Sequence, residues 1–204
     1  MRPPERTRIR VSPGAPALLA VFVWLSSPEV LGAVLLAALC HELGHYAALR
    51  RRGGWVRAVR ISALGAEMQV AGRMSYGGEL LAAAAGPAVN LLLAAALGIP
   101  GRWWEPLYLL AGAQALGCFN LLPILPLDGG RMLWLALCWG TDPFLADRVA
   151  QAVSLAAAGL LTVAGAALAR RSPFLLWTAA ALLVCAAAPC IKRRRSVYAS
   201  HKGR

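Results

Sequence analysis

Charge in this chain is gathered into short clusters separated by long uncharged runs, and that bunching constrains the fold more than any other feature. A run of about 20 mostly apolar residues is what a helix needs to cross a bilayer. Of the 204 residues, 59% are apolar and only 15% charged, against roughly half and a quarter in ordinary soluble proteins. An all-α polytopic membrane protein is the fold class this implies. The net charge of +12 does not indicate nucleic acid, because the basic residues lie at segment ends and are not interleaved with stacking aromatics on one face.

Six spans are expected, at 15–27, 29–49, 78–98, 106–125, 145–169 and 173–190. The first is short, follows Pro13 and Pro16, and needs Ile9 and Val11 to reach across. With the N terminus inside, eighteen Lys and Arg fall on cytoplasmic segments and three, Arg102, Arg170 and Arg171, on the other side. That asymmetry places both termini in the cytoplasm of a multi-pass cell-membrane protein. Residues 191–204 form a basic cytoplasmic tail suited to anionic lipid headgroups. Between the second and third spans, residues 55–74 are expected to form a short β-hairpin at the membrane surface, turning near Leu64, Gly65 and Ala66, with Val59, Ile61, Met68 and Val70 on its buried face. An irregular amphipathic loop is the competing reading. The five cysteines show no CxxC pair and are read as packing residues. No secretory signal is evident, so one domain is expected over 1–204.

Within the second span the residues Cys40-His41-Glu42-Leu43-Gly44-His45-Tyr46 contain HExxH. Spacing of four puts His41 and His45 on one helix face, where both imidazoles can reach one zinc ion, with Glu42 beside it as general base. Three ionisable groups in an apolar span cost several kcal/mol unless they pair, ligate or line a wet cavity. A hydrogen-bonded histidine pair holding helices together is the alternative.

Two imidazoles leave a catalytic zinc short of a protein ligand. The best source of the third is Asp128, in Asn120-Leu121-Leu122-Pro123-Ile124-Leu125-Pro126-Leu127-Asp128-Gly129-Gly130. Pro123 and Pro126 each remove a backbone donor and disfavour helix at the preceding residue, so the fourth span should break into extended chain there. Broken helices are tolerated in lipid only where they line a polar cavity. Gly129 and Gly130 permit a tight turn that presents Asp128, and the Asn120 amide can hold a peptide or a developing oxyanion.

His41-Glu42-Leu43-Gly44-His45 in one span, with Asn120-x-x-Pro123-x-x-x-Leu127-Asp128-Gly129 in a later one, resembles the paired motifs of the site-2 protease family of intramembrane zinc metalloproteases. Gly86-Pro87-Ala88-Val89-Asn90 resembles the glycine and asparagine segment that the family packs between them. The layout, without an inserted PDZ domain, is similar to the stage IV sporulation protein FB-like branch, although the CBS domain of many of its members is not expected after the basic tail.

The resemblance implies one zinc ion per chain, held by His41, His45 and Asp128, with Glu42 and Asn120 catalytic. Asn120, Pro123, Gly86 and Asn90 would line the substrate. The expected partners are the bilayer, a membrane-tethered protein substrate such as a sigma factor or anti-sigma regulator, and membrane regulatory proteins, with no nucleic acid. A six-span membrane metal transporter and a non-proteolytic membrane scaffold are the alternatives; the single ligand cluster and absence of an inverted repeat count against the first.

Overall fold

The computed structural model describes residues 8–62, 65–71, 74–97, 106–168, 183–184 and 186–187. They fall in two compact units, Met1–Asn120 and Leu121–Arg204. The first holds strand β1 (Arg8–Val11), helices α1 (Gly14–Leu25) and α2 (Pro28–Arg51), strands β2 (Trp55–Ser62) and β3 (Gly65–Ala71), and helices α3 (Tyr76–Leu97) and α4 (Pro106–Asn120). The second holds α5 (Asp128–Gly140) and α6 (Pro143–Leu168).

Helix α2 begins where local chemistry dictates. Ser27 is extended and its hydroxyl accepts the Val30 N–H at 3.5 Å, while Pro28 takes the first helical position, where a missing donor is harmless. Arg50 and Arg51 occupy the last turn, beside the negative end of the helix dipole. Gly53, at φ 79°, then adopts the left-handed backbone that turns the chain toward β2.

Small residues fill the interior of this unit. Ala37, Ala94 and Ala113, from α2, α3 and α4, form a buried cluster flanked by Leu93, Leu110 and Leu116. At Gly44 the two backbones come so close that a Cβ would lie 2.8 Å from the Ala85 carbonyl oxygen of α3. The large apolar side chains point outward instead, Leu39 and Leu43 being 55% and 54% exposed. This arrangement suits lipid, where a leucine gains nothing by burial and helices associate through close backbone packing. Three described helices are long and apolar enough to cross a membrane: Pro28–Arg51, Tyr76–Leu97 and Pro143–Ala167.

The other expected spans fare differently. Helix α1 has 12 residues, about 18 Å of rise against a hydrocarbon core of about 30 Å. Ile9 and Val11 do not lengthen it, because they belong to β1. Helix α4 has 15 residues and ends at Asn120, before the proline-containing segment expected to break it. The 173–190 span lies outside the described residues apart from four helical positions, and the 191–204 tail lies outside them altogether.

The 55–74 segment forms an antiparallel hairpin, β2 against β3, with Val59 opposite Met68 and an irregularity between Val56 and Ala58. Residues 63 and 64, in the expected turn, lie outside the described set. A third strand joins the hairpin: β1 pairs parallel to β2, Ile9 opposite Val59 and Val11 opposite Ile61, so that β2 is central. Side chains alternate across a sheet, so Ile9, Val11, Val59, Ile61, Met68 and Val70 share one face while Arg8, Arg10 and Arg60 share the other.

In the second unit, Leu121–Leu127 folds back over the start of α5. The Ile124 N–H donates to the Leu122 carbonyl and the Leu127 N–H to the Ile124 carbonyl, each at 2.7 Å, and the Leu125–Pro126 peptide is cis. A Cβ on Gly129 would strike the Leu121 carbonyl, and one on Gly130 would lie 2.5 Å from the Leu125 nitrogen, so both positions need glycine. Ser154 of α6, wholly buried, accepts the Leu125 N–H at 3.0 Å and donates to the Ala150 carbonyl at 2.7 Å. The Trp134 indole N–H donates to Asp147 at 2.7 Å and ties α5 to α6. Cys40, Cys118 and Cys138 are free thiols.

Candidate metal centre

The four-residue spacing on α2 does what helix geometry requires. His41 is 4% exposed and His45 half-buried, with ring centroids 4.6 Å apart and planes at 83°. Their Nε2 atoms face each other at 3.0 Å. Two nitrogens bound to one tetrahedral zinc at about 2.0–2.1 Å lie about 3.3 Å apart, so the pair is close to ligating separation.

The remote nitrogens are already engaged. His45 Nδ1 lies 2.8 Å from the Ala82 carbonyl oxygen. A carbonyl can only accept, so Nδ1 carries the proton and, in the neutral ring, Nε2 presents a lone pair. His41 Nδ1 meets the Asn90 amide at 3.3 Å. Each imidazole therefore turns Nε2 toward the same point and has a partner on α3 behind it, the arrangement that holds metal-binding histidines in place.

Helix α3 supplies that support at one-turn intervals. Ala82 provides the carbonyl, Gly86 provides space, and Asn90, wholly buried, provides the amide. A Cβ at position 86 would collide with the His45 ring at Nε2 and lie 2.6 Å from Cε1. The structure thus places Gly86 and Asn90 against the two imidazoles. Glu42 is half-buried on α2 beside them. Asn120, the last residue of α4, brings its amide nitrogen to 3.4 Å from His41 Nε2.

The remaining expected site residues belong to the second unit. Asp128 is the first residue of α5, half-buried, after an extended Leu127. Pro123 lies in the segment that folds back over that helix start, and its carbonyl is 3.4 Å from Ser154 Oγ. Two contributors were not expected from the sequence. The Ala82 carbonyl leaves no side-chain signature, although it stands four residues before Gly86. Ser154, a hydroxyl inside an otherwise apolar stretch of α6, does leave one.

No family profile matches the chain. It is 36% identical over 138 residues to the proteins named "Putative zinc metalloprotease Rip3" in two strains of Mycobacterium tuberculosis. The match takes in 56% of this chain and 32% of each relative, so the chain spans about a third of the length of these curated relatives. The fold is similar to that of the site-2 protease from Methanocaldococcus jannaschii, with a TM-score of 0.67 and 22% identity, covering 91% of this chain and 92% of that one. The chain thus has the fold of a site-2 protease and, over part of its length, a sequence similar to that of proteins named as zinc metalloproteases.

Proposed function

We propose that this protein is an intramembrane zinc metalloprotease that hydrolyses a peptide bond in or near the transmembrane segment of a membrane-tethered protein. The observation that carries the reading is the pair of converging Nε2 atoms 3.0 Å apart on an apolar, membrane-length helix, each ring backed by a partner on α3. His41, His45 and Asp128 would hold one zinc ion, a donor set of two imidazoles and a carboxylate with a position left for water. When bound, the ion supplies a Lewis acid that lowers the pKa of water toward neutrality.

The chain's own residues do the rest. Glu42, next to His41 in sequence, accepts the proton of the attacking water and returns it to the leaving amine. Asn120 donates its amide N–H to the carbonyl oxygen as negative charge develops there. Pro123 shapes the substrate's approach from the broken end of the fourth span.

A peptide bond inside a membrane helix is already hydrogen-bonded, so the substrate must be locally extended before water can attack it. The sheet offers a template. β2 is flanked by β1 and β3, so within the hairpin an open edge belongs to β3, where an extended substrate can add as a further strand. The sheet's apolar face, with Ile9 and Val11 69% and 60% exposed, suits the cytoplasmic membrane surface. The excess of basic residues supports a cytoplasmic placing of both termini. A tethered sigma factor or anti-sigma regulator is the proposed substrate class.

The test is cleavage of such a substrate in reconstituted vesicles by the parent and by Glu42→Gln. The variant should retain zinc and cut about 10²–10⁴-fold more slowly. Cleavage within a few-fold of the parent would overturn the assignment of Glu42 as the base.

A further inference from the structure

β1 is an outer strand of the sheet, and all four of its residues are exposed, so among the described residues neither of its faces is covered. One face carries a row of arginines. Arg8 pairs with Ala58 and Arg10 with Arg60, which places Arg8, Arg10 and the exposed Arg60 on the same side. Glu67 is the register partner of Arg60 on β3, so three cations stand against one carboxylate. Like charges side by side on a sheet face repel, and an anion from outside the chain would relieve them.

The placing of the sheet indicates which anion. The Gly54 N–H donates to the Leu49 carbonyl at 3.1 Å, and a Cβ on Gly54 would lie 2.7 Å from Leu49 Cδ1 and 2.9 Å from Met74 Sδ. Both ends of the hairpin are therefore rooted on the last turn of α2, beside Arg50 and Arg51. At the far end the Ser12 N–H donates to the Ile61 carbonyl at 2.8 Å, and α1 begins at Gly14.

The chain thus closes a loop of three sides. Helix α2 rises about 36 Å and α1 about 18 Å, and Trp55 to Ile61 covers about 20 Å. Because α1 rejoins the start of α2 through Ser26 and Ser27, the two short sides can span the long one only by running largely along it. β2 therefore runs back beside α2, and Arg10 and Arg60 lie about 10–15 Å from its C-terminal end. Helix α2 is little longer than a hydrocarbon core of about 30 Å, so these arginines fall below the headgroup plane. Hydrocarbon satisfies neither a guanidinium nor the open backbone edge of β1. A phosphate drawn inward accepts from the forked donors of the arginines and carries water to the strand edge. On the opposite face Ile9 and Val11, 69% and 60% exposed, meet acyl chains.

We propose that Arg8, Arg10 and Arg60 form a site for the phosphate of an anionic phospholipid, held against the β1 side of the sheet, across from the β3 edge offered to substrate. The site requires α2 to cross the bilayer and is independent of the metal centre.

The experiment uses the full chain in neutral detergent, with lipid retention read by native mass spectrometry. From an equal mixture the parent should retain phosphatidylglycerol over phosphatidylcholine by about 10-fold. Arg10→Gln/Arg60→Gln should lose about 30-fold in phosphatidylglycerol affinity. Arg51→Gln/Arg52→Gln removes the same charge at the end of α2 and should lose far less.

Equal retention of the two lipids by the parent would overturn the proposal. Equal losses in the two double variants would do the same, by showing an attraction spread over all the basic residues. Glycerol 3-phosphate has the anion without acyl chains and should compete poorly; full competition would reassign the row to a soluble phosphate. Tight binding of a hexaglutamate peptide that Arg10→Gln/Arg60→Gln abolishes, with no preference between the lipids, would reassign it to an acidic protein segment. The parent's choice between lipids needs no variant, so a folding failure in a double variant leaves the test intact.

Discussion

Replacing Gly86 with alanine adds one methyl group to a helix interior, a change that ordinarily favours the helix by about 0.5–1 kcal/mol. Here the opposite outcome is expected. The new Cβ would meet the His45 ring at Nε2 and lie 2.6 Å from Cε1 and 2.7 Å from Cδ2. Carbon atoms in comfortable contact are about 3.5–4.0 Å apart, so the ring must retreat by about 1 Å. Helix α3 could relieve the clash only by moving away from α2, which would open the close packing of Gly44 against the Ala85 carbonyl. Metal–ligand distances tolerate only about 0.2 Å, and a 1 Å retreat also strains the 2.8 Å bond from His45 Nδ1 to the Ala82 carbonyl. Zinc affinity should therefore drop about 100-fold, equivalent to about 2.7 kcal/mol. Chelator competition on the solubilised protein reads this directly, and circular dichroism checks that the helices remain. A Gly86→Ala protein that binds zinc within threefold of the parent would refute the steric argument and leave Gly86 as an ordinary helix-packing position.

Two further outcomes are expected from the second unit. Asp128→Ala should weaken zinc binding on the order of 100-fold in the same competition assay, without disturbing the contact between His45 and Ala82; unchanged affinity would mean that the third ligand lies elsewhere. Ser154→Ala should leave the Leu125 N–H without its 3.0 Å partner and destabilise the segment leading to Asp128 by about 1–3 kcal/mol. That loss should appear as a lower unfolding temperature and faster proteolysis between residues 121 and 127, and a protein of parental stability would show that water replaces the hydroxyl.

What could be read from the sequence was what depends on a single period. His41 and His45 lie one helical turn apart, so their convergence follows from their spacing, and α2 extends over them as expected. The hairpin was legible only in part, since the pattern from Val56 to Ile61 is mixed: the structure buries Val56 and Ala58, whereas Ile61, expected on the buried face, is 38% exposed. A strict alternation is present in Arg8-Ile9-Arg10-Val11. It was masked by the need to find enough apolar length for the first span, and β1's parallel partner lies about fifty residues away, beyond the reach of any local pattern. Helix α5 was missed for a related reason: 13 residues are too few to cross a bilayer, so a search for spans passes over them.

Gly86 and Asn90 show the same limit more sharply. They repeat on α3 the spacing of the two histidines on α2, so the sequence contains two four-residue ladders without stating that they meet. Periodicity tells which residues share a face, and pairing requires knowing which faces pack. Gly44 settles that here, since the absence of its side chain lets α2 approach the Ala85 carbonyl. Once the two helices are in contact at that point, the next residue on each brings His45 over Gly86, and one further turn brings His41 against Asn90. A glycine inside HExxH, read as a contact site for a second helix bearing glycine and a polar residue four apart, would have predicted both pairings.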